Sequence, residues 1–178
     1  MKCSACSNGD LKPSYLEGLF PCHTCTSCGG NLIMMGDYLR WKDQNPDADL
    51  QSEQSVAVNV EETSKAMLCP KTGGLMTKYK ISKDTDHRID LSPNINAIWL
   101  DRGEWDLLKA NGLANRLNNI FTFHWQQQIS EQQSQEMIME LQQRKFGENY
   151  QRLLEVKEFL NSIENRSEAI AFLLSDDT

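Results

Sequence analysis

Six cysteines punctuate the 178 residues, and five of them fall between positions 3 and 28. Cys3-Ser4-Ala5-Cys6 and Cys25-Thr26-Ser27-Cys28 are CxxC units, in which two intervening residues let one tight turn offer both sulfurs to the same point. Thiolates are soft donors, and four of them fill the tetrahedral sphere of Zn²⁺. Cys22-His23-Thr24-Cys25 is a competing unit that makes Cys22 the alternate ligand, with His23 a packing or solvated side chain. The Cys25–Cys28 choice carries Gly29-Gly30, which suits a turn of positive φ. The expectation is one structural zinc on Cys3, Cys6, Cys25 and Cys28. Four sulfurs leave no position open for an activated water, so the chemistry is a cross-link and not catalysis.

The spacing then recurs. From Cys3 to Cys25 is 22 positions, and from Cys69 to Ser92 is 23. With Ser92 over Cys25, "GGNLIMMGDY" (29–38) lies over "NAIWLDRGEW" (96–105), so Leu32 meets Trp99, Gly36-Asp37 meets Gly103-Glu104, and Tyr38 meets Trp105. Thr72, Ser92 and Ile95 then stand where three of the four ligands would be, and Cys69 alone persists. A residual metal site on Cys69 and His87 with Asp84, Asp86 or Asp90 lacks a second paired turn. The expectation for this half is packing in place of metal, with Ile95, Ile98, Trp99, Leu100 and Trp105 buried.

These two stretches resemble the bacterial transcription-factor-IIB-type zinc-ribbon family, whose pattern is CPxC, a hairpin, then CxxCxGxWLDxGEL. Cys3, Cys6, Cys25 and Cys28 match its metal ligands, while Trp99, Leu100, Asp101, Gly103 and Glu104 match its closing segment. The first stretch keeps the ligands and has lost the WLD; the second keeps the WLD and has lost the ligands. The resemblance covers about 1–42 and 66–108 and none of the tail. It implies a ribbon fold, and a fold likeness by itself confers no activity.

The elements that must hold these residues read as an α+β chain: two small zinc-ribbon-like β-hairpin modules, one metal-bound and one degenerate, then a helical C-terminal region. The expected division is a ribbon over 1–42, an acidic linker over 43–65, a degenerate ribbon over 66–108 and a helical tail or small bundle over 109–178. In the linker, Val56, Val58 and Val60 alternate as in a short strand. "GEWDLLKANG" has an acidic first turn and Gly112 as a stop. Leu113, Leu117, Ile120, Phe121 and Trp125 recur at helical spacing as core, with His124 packing beside them. The Gln-laden stretch 126–143 predicts a long helix lined by Ile129, Met137, Ile138 and Leu141. Tyr150, Leu153, Leu154, Leu160 and Ile163 predict another helix, and Asn165 with Glu168 predicts a capping box before "AIAFLL".

Charge narrows the function. The chain is net −7; residues 1–65 carry −4, 66–112 carry +1 and 113–178 carry −4. A general nucleic-acid binder needs Lys and Arg to prevail. Only "KYKISKDTDHR" offers a patch, with Lys78, Lys80, Lys83 and Arg88 around Tyr79, and Asp84 and Asp86 interrupt it. No phosphate-cradling loop, HExxH or nucleophile motif is present. No run is apolar enough to span a bilayer. Clustered CxxC units in a chain with no secretory leader suit a reducing compartment, the cytoplasm. The reading is a non-enzymatic zinc-binding scaffold or adaptor that binds a protein or itself through its helical tail; the alternative is a nucleic-acid-binding or RNA-polymerase-associated transcription factor.

Overall fold

The computed structural model describes residues 1–48, 50 and 65–175. The expected strand at Val56–Val60 and most of the linker lie outside the described residues. The chain divides into two compact units, 1–131 and 132–178.

The first unit is built on an antiparallel six-stranded sheet in the order β1-β2-β3-β6-β5-β4. Its strands are β1 (Leu11–Leu16), β2 (Phe20–Cys25), β3 (Asn31–Met34), β4 (Thr77–Lys80), β5 (Arg88–Ser92) and β6 (Ala97–Leu100). Each module contributes three strands, and β3 joins β6 in the centre. Leu32 pairs with Trp99 there, flanked by Asn31 opposite Leu100 and Ile33 opposite Ile98. Asn31 and Ile98 are 67 positions apart, as are Ile33 and Leu100, so the register reads the same from either module. The stretches 1–42 and 66–108, expected as separate modules, contribute to one sheet within one compact unit.

Side chains alternate across a sheet, and here each face has its own apolar cluster. On one face Phe20, Cys22, Ile33, Ile89, Leu91, Ile98 and Leu100 pack beneath helices. Helix α1 (Met35–Gln44) follows β3, and α2 (Glu104–Ala110) follows β6. Each delivers one aromatic ring to Phe20: Tyr38 at 5.7 Å and Trp105 at 5.6 Å, both edge-on. Trp41 adds a third ring at 5.6 Å. Edge-to-face rings favour one relative orientation as well as burying area, which fixes how the helices lie on the strands. Tyr38 also donates its hydroxyl to the Ala114 carbonyl at 2.9 Å.

Helix α1 is an addition to the elements expected from sequence, and it crosses the expected boundary at residue 42. The equivalence of Gly36-Asp37-Tyr38 with Gly103-Glu104-Trp105, already read as a helix start, was the available signal. The stripe from Leu113 to Trp125 is core, as expected, but it is broken. A 3₁₀ turn (Ala114–Arg116), α3 (Leu117–Ile120) and the start of α4 (Phe123–Phe146) share it. Leu113, Leu117 and Ile120 are buried, and His124 is exposed. Gln126 closes the free edge of β4: its amide donates to the Lys80 carbonyl at 2.9 Å and to the Ile120 carbonyl at 2.8 Å, and accepts the Lys80 N–H at 3.3 Å. A side-chain amide thus completes the peptide pairing that an edge strand otherwise lacks.

The second unit comprises the rest of α4, then α5 (Tyr150–Ser162) and α6 (Arg166–Leu174). Ile129 is buried in the first unit, whereas Met137, Ile138 and Leu141 are exposed. Asn165 precedes α6, but its side chain makes no cap hydrogen bond. Its backbone, at φ −93° and ψ 45°, is outside the extended geometry that aims a capping side chain at the first turn. No described helix is long and apolar enough to cross a membrane.

Candidate metal centre

The first knuckle is set by its backbone. The Cys3 N–H bonds to the Gly9 carbonyl at 2.9 Å and the Ser7 N–H to the Cys3 carbonyl at 3.0 Å, with Ser7 at φ 59°. The second knuckle is closed by the Cys25 N–H to the Gly30 carbonyl at 2.8 Å and the Gly29 N–H to the Cys25 carbonyl at 3.1 Å, with Gly29 at φ 75°. These turns point four Sγ atoms at one place, all within 4.8 Å of one another. Cys3 to Cys28 is 3.8 Å and Cys6 to Cys25 is 3.6 Å. A tetrahedron with Zn–S bonds of about 2.3 Å has sulfur–sulfur edges of about 3.8 Å. The sulfurs are far too distant for disulfides and correctly spaced for an ion. Cys3, Cys6, Cys25 and Cys28 are consistent with one structural zinc, which when bound cross-links the two turns.

The thiols are unevenly prepared. Backbone N–H groups of Asn8 and Gly9 pull Cys6 down to about 6 against the opposing effect of burial. Burial pushes Cys28 up to about 12 and raises Cys3. Gly9 is required by close approach: a Cβ there would lie 2.3 Å from the Cys25 sulfur.

Cys22, the alternate ligand, is three residues from Cys25 on the same strand and so faces the opposite side of the sheet. It packs in the helix-covered cluster, 3.6 Å from the Thr24 hydroxyl and 3.8 Å from the Asn31 side-chain oxygen. It is not in the sulfur group. His23 is half-buried and outside it as well. Among the described residues no other group of three or more Cys, His, Asp or Glu side chains converges, so Cys69, His87 and the neighbouring aspartates form no such group.

A turn at Cys69 opens the second module. The Cys69 N–H bonds to the Gly74 carbonyl at 2.7 Å and the Gly73 N–H to the Cys69 carbonyl at 2.8 Å, with Gly73 at φ 70°. Cys69 is buried; burial would raise its thiol, yet the hydroxyls of Ser92 and Thr72 and the amides of Lys71 and Thr72 lower it on balance. The second apolar cluster contains Cys3, Cys25, Leu32, Met67, Cys69, Met76, Ala97 and Trp99, with Ile95 against it. The Ser4 hydroxyl donates to the Leu68 carbonyl, so the two knuckles abut.

The WLDRGE segment is an anchor. The Trp99 ring lies over Gly30, where a Cβ would sit 2.3 Å from Trp99 Cζ2. Trp99 Nε1 donates to Asp101 Oδ1 at 2.8 Å, the Asp101 N–H donates to Glu104 Oε2 at 2.7 Å, and the Glu104 N–H donates to the Asp101 carbonyl at 3.1 Å. This reciprocal closure resembles a capping box and starts α2 behind Gly103. Glu104 is buried, and its Oε1 has no hydrogen-bond partner. Burial, reinforced by the Asp101 and Asp90 carboxylates and opposed by the Asp101 N–H and Lys78, lifts its carboxyl to about 8.

The basic stretch is dispersed. Lys78 is paired with buried Asp90 at 2.8 Å, Lys80 with Asp86 at 3.4 Å and Lys83 with Asp84 at 3.5 Å. Tyr79 lies on the opposite face of β4 from Lys78 and Lys80, edge-on to Phe121 at 5.2 Å. Arg88 is exposed. The structure does not bring the aromatic ring and the lysines to one surface.

Residues 2–44 match the TFIIB-type zinc ribbon. That family is described as "Transcription factor zinc-finger", and the match spans both knuckles, β1 to β3 and α1. No curated protein and no solved structure matches the chain.

Two measurements check this site. Elemental analysis of the purified chain is expected to give one zinc per chain, retained in Cys22→Ser and lost in Cys25→Ser; zinc surviving in the latter would reject the ligand set. Unfolded, Glu104 titrates near 4.5, so between there and about 8 the folded chain holds the extra proton and its stability falls as pH rises. The loss is at most ~1.4 kcal/mol per pH unit. Glu104→Gln keeps an acceptor for the Asp101 N–H and removes that loss. The stability difference between variant and wild type, from urea unfolding, should move in the variant's favour between about pH 5 and pH 8; a difference independent of pH rejects a buried protonated Glu104.

Proposed function

We propose that this chain is a non-enzymatic scaffold: two copies of one ribbon fused into a single sheet, one locked by zinc and one by packing, with a helical tail that engages a protein. The observation carrying this reading is the closed tetrathiolate geometry, with edges of 3.6 and 3.8 Å. All four donors come from the protein, so the ion's contribution is rigidity. For the internal duplication the support is the repeated turn chemistry. Leu11 N–H to the Met1 carbonyl at 2.7 Å is matched by Met76 N–H to the Met67 carbonyl at 2.9 Å, and positive φ recurs at Ser7 and Gly73 and at Gly29 and Asn96. The self-complementary β3–β6 register points the same way.

If the second knuckle is a lapsed metal site, its frame should still accept the ligands. The triple variant Thr72→Cys, Ser92→Cys, Ile95→Cys is expected to bind a second zinc per chain, read by elemental analysis and by thiolate–metal absorbance after Co²⁺ substitution. A stoichiometry fixed at one in a folded triple variant counts against the duplication.

For the scaffold, the support is the tail. Among the described residues of the second unit none is buried, and Phe172, Leu173 and Leu174 of α6 are 74%, 60% and 78% exposed. A helix that is apolar on every side is ordinarily covered. The test is affinity capture from the native host with wild type, Cys25→Ser and Phe172→Asp. A partner lost with the tail variant supports engagement through the helices, and one lost with Cys25→Ser moves the working surface to the ribbon. No specific partner in any preparation rejects the scaffold reading.

The second reading, a nucleic-acid-binding transcription factor, draws on the description of the family matched by residues 2–44. The ion-paired lysines of β4 and the packed Tyr79 weigh against it. Gel shifts at two salt concentrations separate the readings, because phosphate contacts strengthen steeply as salt falls. No shift at low salt removes it.

A further inference from the structure

The second knuckle carries two of the four sulfurs, those of Cys25 and Cys28, and Gly30 is bonded to both residues. Its carbonyl accepts the Cys25 N–H at 2.8 Å, and its own N–H donates to the Cys28 sulfur. A displacement of this one residue therefore moves two ligands at once. Groups that orient the ligands belong to a metal site even where they do not touch the ion.

What lies against Gly30 comes from the other module. The three atoms nearest to the place of a Gly30 Cβ all belong to the Trp99 ring, at 2.3, 2.9 and 3.0 Å. Trp99 is 1% exposed and sits in the apolar cluster that contains Cys3 and Cys25. Its orientation is fixed at both ends. The β6 backbone sets it opposite Leu32, and its Nε1 donates to Asp101 Oδ1 at 2.8 Å. The Asp101 N–H is in turn held by Glu104 Oε2 at the start of α2. Next along the chain, the stem of Arg102 passes over Gly29, its Cδ 3.4 Å from the place of a Cβ there. The WLDRGE segment thus covers both glycines that follow Cys28.

We propose that Trp99 is a positioning residue for the metal centre, raising zinc affinity from outside the ligand set by holding Gly30 against the Cys25–Cys28 turn. The proposal rests on the reading of the first module as locked by zinc, and it makes the strength of that lock a property of the second module. Trp105 supplies the contrast. It is equally part of the core, 4% exposed and edge-on to Phe20, but it lies in the helix-covered cluster and meets neither knuckle.

The test measures the zinc affinity of the full chain by competition with a chromophoric chelator, beside urea unfolding of the zinc-loaded protein. Trp99→Leu and Trp105→Leu each remove a buried ring, and both should lower stability. Zinc affinity is expected to fall about tenfold or more in Trp99→Leu and to stay within about threefold of wild type in Trp105→Leu, the first being the scale of loss from partners outside the ligand set. The absorption bands of the Co²⁺-substituted chain, which report how the sulfurs are arranged, should shift in Trp99→Leu alone. Trp99→Phe gives the same result in smaller measure where Leu at this position does not fold. A size exchange supplies a second arm. Gly30→Ala drives a methyl into the ring and should weaken zinc by itself. Gly30→Ala with Trp99→Leu restores the room and should bind zinc more tightly than Gly30→Ala alone, a non-additivity expected of residues in contact.

If zinc uptake only follows the folding of the unit, the two tryptophan variants lose affinity in proportion to their lost stability; that result overturns the proposal. So does a double variant no tighter than Gly30→Ala. A Trp99→Leu chain that holds zinc as wild type does removes the role of Trp99 and leaves the zinc-locked reading standing, whereas a wild type that takes up no zinc overturns both.

Discussion

The structure of the first unit depends on the pairing of β3 with β6. Each module alone is a three-stranded hairpin assembly with few side chains to bury, and a chain of that size rarely stabilises itself through apolar area alone. Joining them at Leu32 and Trp99 makes one sheet whose faces support two apolar clusters. The join also brings a large ring from one module onto a glycine of the other. Trp99 over Gly30 leaves no room for a Cβ, and Gly30 is the residue whose carbonyl closes the Cys25 turn. The metal-binding turn of the first module is therefore packed by the tryptophan of the second. Cross-link and core are one construction.

That coupling also holds the second module, whose first turn contains one cysteine, Cys69. A zinc ion in such a turn replaces a missing core. Here Cys69 and Met67 share a cluster with Cys3 and Cys25, and Ile95 packs against it. The backbone keeps its turn through the same pair of hydrogen bonds as the first knuckle. On the other face, Trp105 and Tyr38 meet at Phe20, so the helix that closes each module is anchored to the common core and not to its own knuckle.

Much of this was legible in the sequence because it is local. CxxC spacing, Gly29-Gly30 and the 67-residue offset fixed the four sulfurs and the correspondence of Leu32 with Trp99. The α+β class and α2 followed from equally short patterns. What was not legible is non-local. Nothing in either hairpin states that β3 and β6 will pair, and two strands of four residues carry too little alternation to choose a neighbour. Cys22 competed with Cys28 as a ligand by spacing alone, and only the face of β2 on which it falls separates them. The lysines of "KYKISK" read as a patch because their acidic partners, Asp90 across the strand and Asp86 in the loop, are distant in sequence or look like interruptions. Gln126 belonged to a Gln-rich run with nothing to distinguish it, yet it alone of that run is hydrogen-bonded to β4 among the described contacts. Asn165 shows the converse: a correct local pattern whose backbone angles do not deliver the bond.

Asp90 and Lys78 raise the question of why a small core keeps buried charge at all. The pair is 2.8 Å apart with side chains 3% and 18% exposed. Buried ion pairs seldom repay their desolvation against an apolar replacement, and Asp90 in addition raises the cost of ionising Glu104. Their positions suggest specificity rather than strength. Asp90 is opposite Trp99 on one side and opposite Lys78 on the other. Ile89 and Leu91, its neighbours in β5, both point into the helix-covered core. A slip of one residue would exchange faces along the whole strand, driving the Asp90 carboxylate among Phe20, Ile33 and Ile98 and turning Ile89 and Leu91 out. That error costs far more than the pair itself contributes. In the first module a tetrathiolate site already ties β2 to the knuckles and fixes its register. In the second, the buried Asp90 carboxylate paired with Lys78 favours the alignment of β5 that leaves Trp99 above Gly30.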